Sequence, residues 1–210
     1  MERQNIIEQT IENMELIYYD VSQIGQLVEE KMRKRGFEVL GDAAFTWETS
    51  TALGRPDSWL YKCFARTYIE NGSPKQTVGF CIRLGGSQDQ VKKIARLSIS
   101  FPVISVSLLK MEEDVKKLWR QDIYNLLWSA GWDDSYLPFR KISNSKIIFS
   151  DVNDKELKGR IVTYFVDLLS LTSGDLIEQL VADPMGKMFR GDEEWVVKKG
   201  LNVIQIGENL

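Results

Sequence analysis

The chain has 210 residues, 43% of them apolar, enough for a packed core and too many for a chain that stays unfolded. Lys and Arg number 27 against 30 Asp and Glu, a net charge of −3, so the basic excess that favours polyanions is missing and nucleic acid is not an expected partner. Histidine is absent, which closes Ser-His-Asp and Cys-His catalysis, HExxH zinc chemistry and imidazole proton relays.

The opening residues Met1-Glu2-Arg3-Gln4-Asn5 lead into closely spaced polar and acidic side chains rather than the apolar core of a signal peptide, so a cytoplasmic location is expected. Ile161 to Leu171 is the longest strongly apolar stretch and is broken by Asp167. It falls well short of the roughly 20 residues that cross a bilayer, and no membrane association is expected. Cys63 and Cys81 are the two cysteines. Two thiolates without histidine leave a tetrahedral zinc site half empty, so reduced thiols and no metal or cofactor are expected.

In chain order, Ile7, Ile11, Met14, Tyr18, Val21, Gly25, Val28 and Met32 alternate steps of four and three, the spacing of a helical seam. Residues 1–36 therefore read as a helical N-terminal segment. Asp20 and Ser22 also offer caps for a second helix ending near Arg35 and Gly36, and Leu16 to Tyr19 could start as a strand, so the division of the segment stays open. The seam serves either a dimerising coiled coil or an amphipathic element packed on its own domain.

From Phe37 the pattern turns to strands. Trp59 to Ile69 and Thr77 to Leu84 flank Asn71-Gly72-Ser73-Pro74, predicting a β-hairpin. Val78, Phe80, Ile82 and Leu84 share one face and Thr77, Gly79, Cys81 and Arg83 the other, so a single buried side is expected. If Glu70 and Lys75 close the turn, Cys63 and Cys81 miss being direct partners by one residue; a three-residue loop would set them opposite each other. The longer loop is preferred because Pro74 cannot donate to a ladder. Leu97 to Ser107 resumes a strand pattern, with Pro102 arguing for an edge or a bulge.

Glu112 to Ala130 predicts a helix, with Val115, Leu118, Trp119, Ile123, Leu126, Leu127 and Ala130 in one stripe, acidic residues in its first turn and Gly131 as its stop. A short strand is expected at Ser145 to Phe149. Asn153 with Glu156 predicts a capped, central helix through Leu171, and Thr172 with Asp175 another before Asp183-Pro184. Trp195 to Ile206 reads as a returning strand. With no internal repeat or long linker, residues 1–210 read as a single α+β domain: an antiparallel sheet with a central hairpin, covered on one face by amphipathic helices.

Catalytic patterns are sparse. Pro56-Asp57 and Glu70 partly resemble the acidic motif of the metal-dependent PD-(D/E)xK nucleases, but residue 72 is glycine where that motif needs lysine. Gly85-Gly86-Ser87 lacks the rest of a phosphate-binding loop, and Asp133-Asp134 and Asp192-Glu193-Glu194 have no cation-loop spacing. No catalytic residue is nominated. The other candidate lies behind the predicted core stripe, where Tyr124 and Trp128 stand one turn apart beside Lys117 and Arg120, with Trp132 just beyond Gly131. Aromatic side chains flanked by basic ones suit a partner surface. The expected function is a non-catalytic interaction or regulatory module whose partner is another protein or a second copy of the chain. The competing expectation is a carboxylate-based, metal-dependent phosphoesterase or nuclease using Asp57 and Glu70.

Overall fold

A computed structural model describes residues 2–41, 45–47, 63–85, 102–130, 139–154 and 157–206. The apolar seam of residues 7–32 folds as one continuous helix, α1 (Glu2–Lys34). Asp20 and Ser22 lie inside it rather than capping a second helix. It stops at Gly36, whose φ of 84° continues the chain in the left-handed conformation that glycine adopts without a Cβ clash.

Among the described residues the sheet has eight strands, all paired antiparallel: β1 (Phe37–Val39), β2 (Phe45–Trp47), β3 (Cys63–Glu70), β4 (Gln76–Arg83), β5 (Val103–Met111), β6 (Phe139–Ser143), β7 (Ile147–Asp154) and β8 (Leu157–Asp167). Their order is β1-β3-β4-β5-β8-β7-β6, with β2 also on β3. The α+β class and the β3–β4 hairpin agree with the sequence. The hairpin register differs from expectation by one residue: Tyr68 pairs with Val78, Ala65 with Cys81 and Cys63 with Arg83. Such a slip reverses which residues share a face. Cys63 and Cys81 therefore lie diagonally on the same face, neither directly opposed nor on opposite sides.

Helices cover both faces of the sheet rather than one. On the first face Val78, Phe80 and Ile82 of β4, Ile104 and Val106 of β5, and Val162 and Tyr164 of β8 pack with Val21, Val28 and Met32 of α1 and with the C-terminal helices. On the second, Cys81, Leu109 and Ile161 meet α2 (Arg120–Ser129) through Ile123, Leu126 and Leu127. Both faces of β4 are thus buried. Gly79 makes the second contact close, since a Cβ there would sit 2.6 Å from the Arg66 carbonyl oxygen and 3.2 Å from Leu127 Cδ1.

Burial on both faces also explains the main correction. Ile161 to Val166 is not a central helix but the middle of strand β8, which lies between β5 and β7. Six consecutive apolar, aromatic or β-branched residues have no face to leave polar, and in a doubly covered sheet they need none. The adjoining Leu168–Ser170 forms a single 3-10 turn. β5 is interior too. Pro102 stands just before its first residue, so the missing donor falls outside the ladder.

Other boundaries shift for local reasons. The helix predicted from Glu112 begins only at Arg120, after turns, with Trp119 still extended (φ −61°, ψ 131°). The strand predicted at Ser145 to Phe149 becomes β7, entered through positive φ at Asn144 and Ser145. Ser173, between the two predicted caps, accepts from the Leu176 amide and starts α3 (Gly174–Ile177). The helical path then runs on through a π turn at Glu178–Ala182 into α4 (Asp183–Phe189). Pro184 does not end it; the Leu180 carbonyl, four residues back and without an amide donor at Pro184, accepts from the Tyr164 hydroxyl at 2.7 Å. The expected terminal strand is a short helix, α5 (Trp195–Lys198), followed by irregular chain whose Ile204 and Ile206 amides donate to the Phe165 and Ser145 carbonyls.

An ionic cluster ties the end of α1 to the π turn. Lys31 and Arg35 both donate to Glu178, at 2.6 and 2.5 Å, and Arg35 also pairs with Asp183. Hydrogen bonds from Lys31 and Arg35 hold the Glu178 carboxyl down at about 2, below its usual 4.5. A depressed carboxylate pKa stabilises the fold above the unfolded value, and that stabilisation is lost as pH falls towards the folded one. Glu178→Gln is therefore expected to lower the thermal midpoint at neutral pH by an amount that shrinks between pH 4.5 and 2. Parallel melting series across that window test it; a difference constant with pH contradicts it.

Candidate association surface

The side chains of α1 divide along its length. From Val21 onward the seam is buried, and Val21, Val28 and Met32 belong to the core. Tyr18 marks the boundary, its ring meeting Phe64 edge-on at 5.7 Å between centroids. Before it the same seam faces solvent: Ile7 is 59% and Ile11 51% exposed, and Ile6 and Ile17 beside them are exposed as well. A helix of 33 residues is about 50 Å long at 1.5 Å per residue, and its first half outruns the sheet that the second half covers.

The exposed seam runs into an apolar groove. Met14, Ile17 and Tyr18 form one wall, and Leu84, Pro102 and Leu169 contribute to the other side of a volume of about 920 Å³. Leu169 sits on the 3-10 turn after β8, exposed in spite of its size. An Asp167 carboxylate accepting from the Leu169 amide fixes that turn. Contiguous apolar surface of this kind marks association sites, because its removal from water contributes roughly 25 cal/mol per Å². The acidic side chains of this half, Glu8, Glu12 and Glu15, fall beside or behind the seam when successive residues are rotated by about 100°.

The residues singled out from the sequence are not brought together as one open patch. Tyr124 is 1% exposed and belongs to the core under α2; a partner surface on that ring is corrected by its burial. The reason is geometric, since Tyr124 adjoins Leu127 on the helix and the sheet face it meets is wide enough to cover both. Trp128 is half-buried against the same cluster, with the Arg83 guanidinium 5.1 Å from its ring centre. Lys117 is exposed, on the turns before α2. Arg120 begins α2, and Trp132 lies outside the described residues. Next to α2 an aromatic ring that does face solvent is Trp119, 79% exposed, which the sequence pattern assigns to the core. Its expected stripe assumes a helix that has not yet started at that point.

The acidic candidates are accounted for separately. Glu70 accepts from Arg190 at 2.8 Å, and Asp57, Asp133 and Asp134 lie outside the described residues. Glu193 bonds Lys110 and Arg160, Asp192 bonds Lys198, and Glu194 accepts from the Ser143 hydroxyl. Among the described residues no three Cys, Asp or Glu side chains converge as cation ligands, and no described helix is long and apolar enough to cross a membrane. Of the Gly-Gly-Ser segment, Gly85 is described and lines the apolar groove. No family model, curated protein or solved structure matches the chain.

Burial separates the two aromatic candidates in a measurable way. Tyr124→Ala is expected to destabilise the fold by about 3–5 kcal/mol, as for other large aromatic truncations in a core. Trp119→Ala should stay within about 0.5 kcal/mol of the parent. Urea unfolding of the two variants checks this ordering, and equal losses contradict it.

Proposed function

We propose that the chain is a non-catalytic association module and that the first half of α1 joins it to a second copy of itself. The supporting observation is the continuity of one apolar seam, which is core from Val21 onward and open to water at Ile7 and Ile11. The four-and-three spacing persists across that boundary without change, as a helix does when both halves meet packing partners. In a two-fold, antiparallel pairing, Ile7 and Ile11 of each copy lie over the groove between Met14 and Leu169 of the other. One surface then serves both chains, the requirement for a closed dimer.

Charge sets how this contact responds to salt. Residues 2–20 carry Glu2, Glu8, Glu12, Glu15 and Asp20 against Arg3, so two copies repel. Screening relieves that repulsion, and salt also strengthens apolar burial. Dimerisation is expected to tighten as salt is raised, the opposite of a contact driven by unlike charges. The metal-dependent hydrolase reading draws no support from Glu70, which is engaged by Arg190.

Sedimentation equilibrium tests the proposal. The wild-type chain should show a species of twice 24.2 kDa with a salt-strengthened association. The double variant Ile7→Glu, Ile11→Glu should dissociate at least about tenfold more readily, because each dimer would bury charges without partners. Its thermal midpoint at monomeric concentration should match the wild type, since both positions are more than half exposed. A wild-type chain monomeric at all concentrations and salts, or an equally dimeric variant, contradicts the proposal.

A further inference from the structure

The strand register that places Cys63 and Cys81 on one face brings their sulfurs to 2.9 Å, both side chains being buried and free. Arg83 joins them for the same reason. It lies two residues beyond Cys81 on that face of β4 and directly across from Cys63 on β3. The whole Arg83 side chain is buried, at 0% exposure. One end-nitrogen donates to the Leu127 carbonyl of α2 at 2.7 Å, and the guanidinium plane stands over Trp128. These contacts fix a cation against the two thiols.

We propose that Cys81 and Cys63, in contact beside the buried Arg83, form a peroxide-reactive dithiol site with Cys81 attacking and Cys63 resolving. Burial opposes ionisation of Cys81, but the hydrogen bond from Cys63 and the charge of Arg83 outweigh it and bring the thiol down to about 7. Burial pushes Cys63 well above its usual value, and the thiol keeps its proton to donate. Arg83 lies two residues from Cys81 on β4 and across from Cys63 on β3, so one cation stands beside both sulfurs.

The reaction balances with hydrogen peroxide as the oxidant. The Cys81 thiolate attacks one peroxide oxygen, the O–O bond breaks, and the departing hydroxide takes a proton to leave as water. Cys81 is then a sulfenic acid. The Cys63 sulfur attacks the Cys81 sulfur, the S–O bond breaks, and a second water leaves with the Cys63 proton. The dithiol has lost two electrons and two protons to form a disulfide, and one peroxide has become two waters. Both sulfurs are closed to solvent, so a small uncharged oxidant reaches them through local opening of this sheet face, and contact between the sulfurs favours resolution within one chain.

The test uses the full chain with stoichiometric peroxide, followed by denaturation, thiol alkylation and intact-mass measurement. The wild type should lose both alkylatable thiols and the mass of two hydrogens, as a monomeric chain on a non-reducing gel. Cys63→Ser should accumulate a sulfenic acid on Cys81 that dimedone traps. Cys81→Ser should react at least about tenfold more slowly than wild type, since its remaining thiol lacks the ionised character that attack requires. Circular dichroism establishes that each serine variant is folded. Two thiols still alkylatable after peroxide, a disulfide formed only between chains, or a Cys81→Ser variant as reactive as wild type would each overturn the proposal.

Discussion

Burial of the three middle strands on both faces is the constraint from which the rest of the architecture follows. β4, β5 and β8 carry apolar side chains to each side of the sheet, so helices must be found for two surfaces. The second half of α1 and the C-terminal helical run cover one surface, and α2 contributes to the other. The close approach at Gly79 admits Leu127 to the second face, and the same face holds Arg83 and the cysteines. A fold of this kind commits most of its apolar residues internally, which makes the uncommitted ones informative.

Apart from Trp119 before α2, the large exposed apolar residues described are those of the first half of α1 and Leu169 across the groove from it. An isolated helix of that length gains little from propensity alone and depends on packing for its stability. The seam also keeps its spacing in the half with no sheet beneath it. On the proposed self-association a second copy would supply the missing surface with the residues already present, and the acidic side chains beside and behind the seam would weaken the contact wherever their repulsion is not screened. The ionic cluster of Lys31, Arg35 and Glu178 anchors the other end of the helix, so the projecting half extends from a fixed base.

The β3–β4 hairpin could be read from the chain because alternation at Val78, Phe80 and Ile82 has one interpretation. The seam of α1 was equally plain, but its division into a buried and an open half depends on where the sheet ends, which local spacing does not contain. Residues 161–166 misread as helix because an uninterrupted apolar run is common to buried helices and doubly covered strands. Trp119 was misplaced because the apolar stripe was extrapolated through turns that precede α2, and Tyr124 because the core under α2 takes in the residues beside the stripe as well as the stripe itself. The thiol site was hidden by a single residue of hairpin register, since one step decides whether Cys63 and Cys81 share a face.

The most direct measurement of the central claim is amide hydrogen exchange of residues 4–20 at two protein concentrations. If this half of α1 packs against a second copy, its amides exchange slowly in concentrated, salt-containing solution and quickly on dilution, while those of β5 and β8 stay protected throughout. Exchange in residues 4–20 that is fast and independent of concentration would contradict the account.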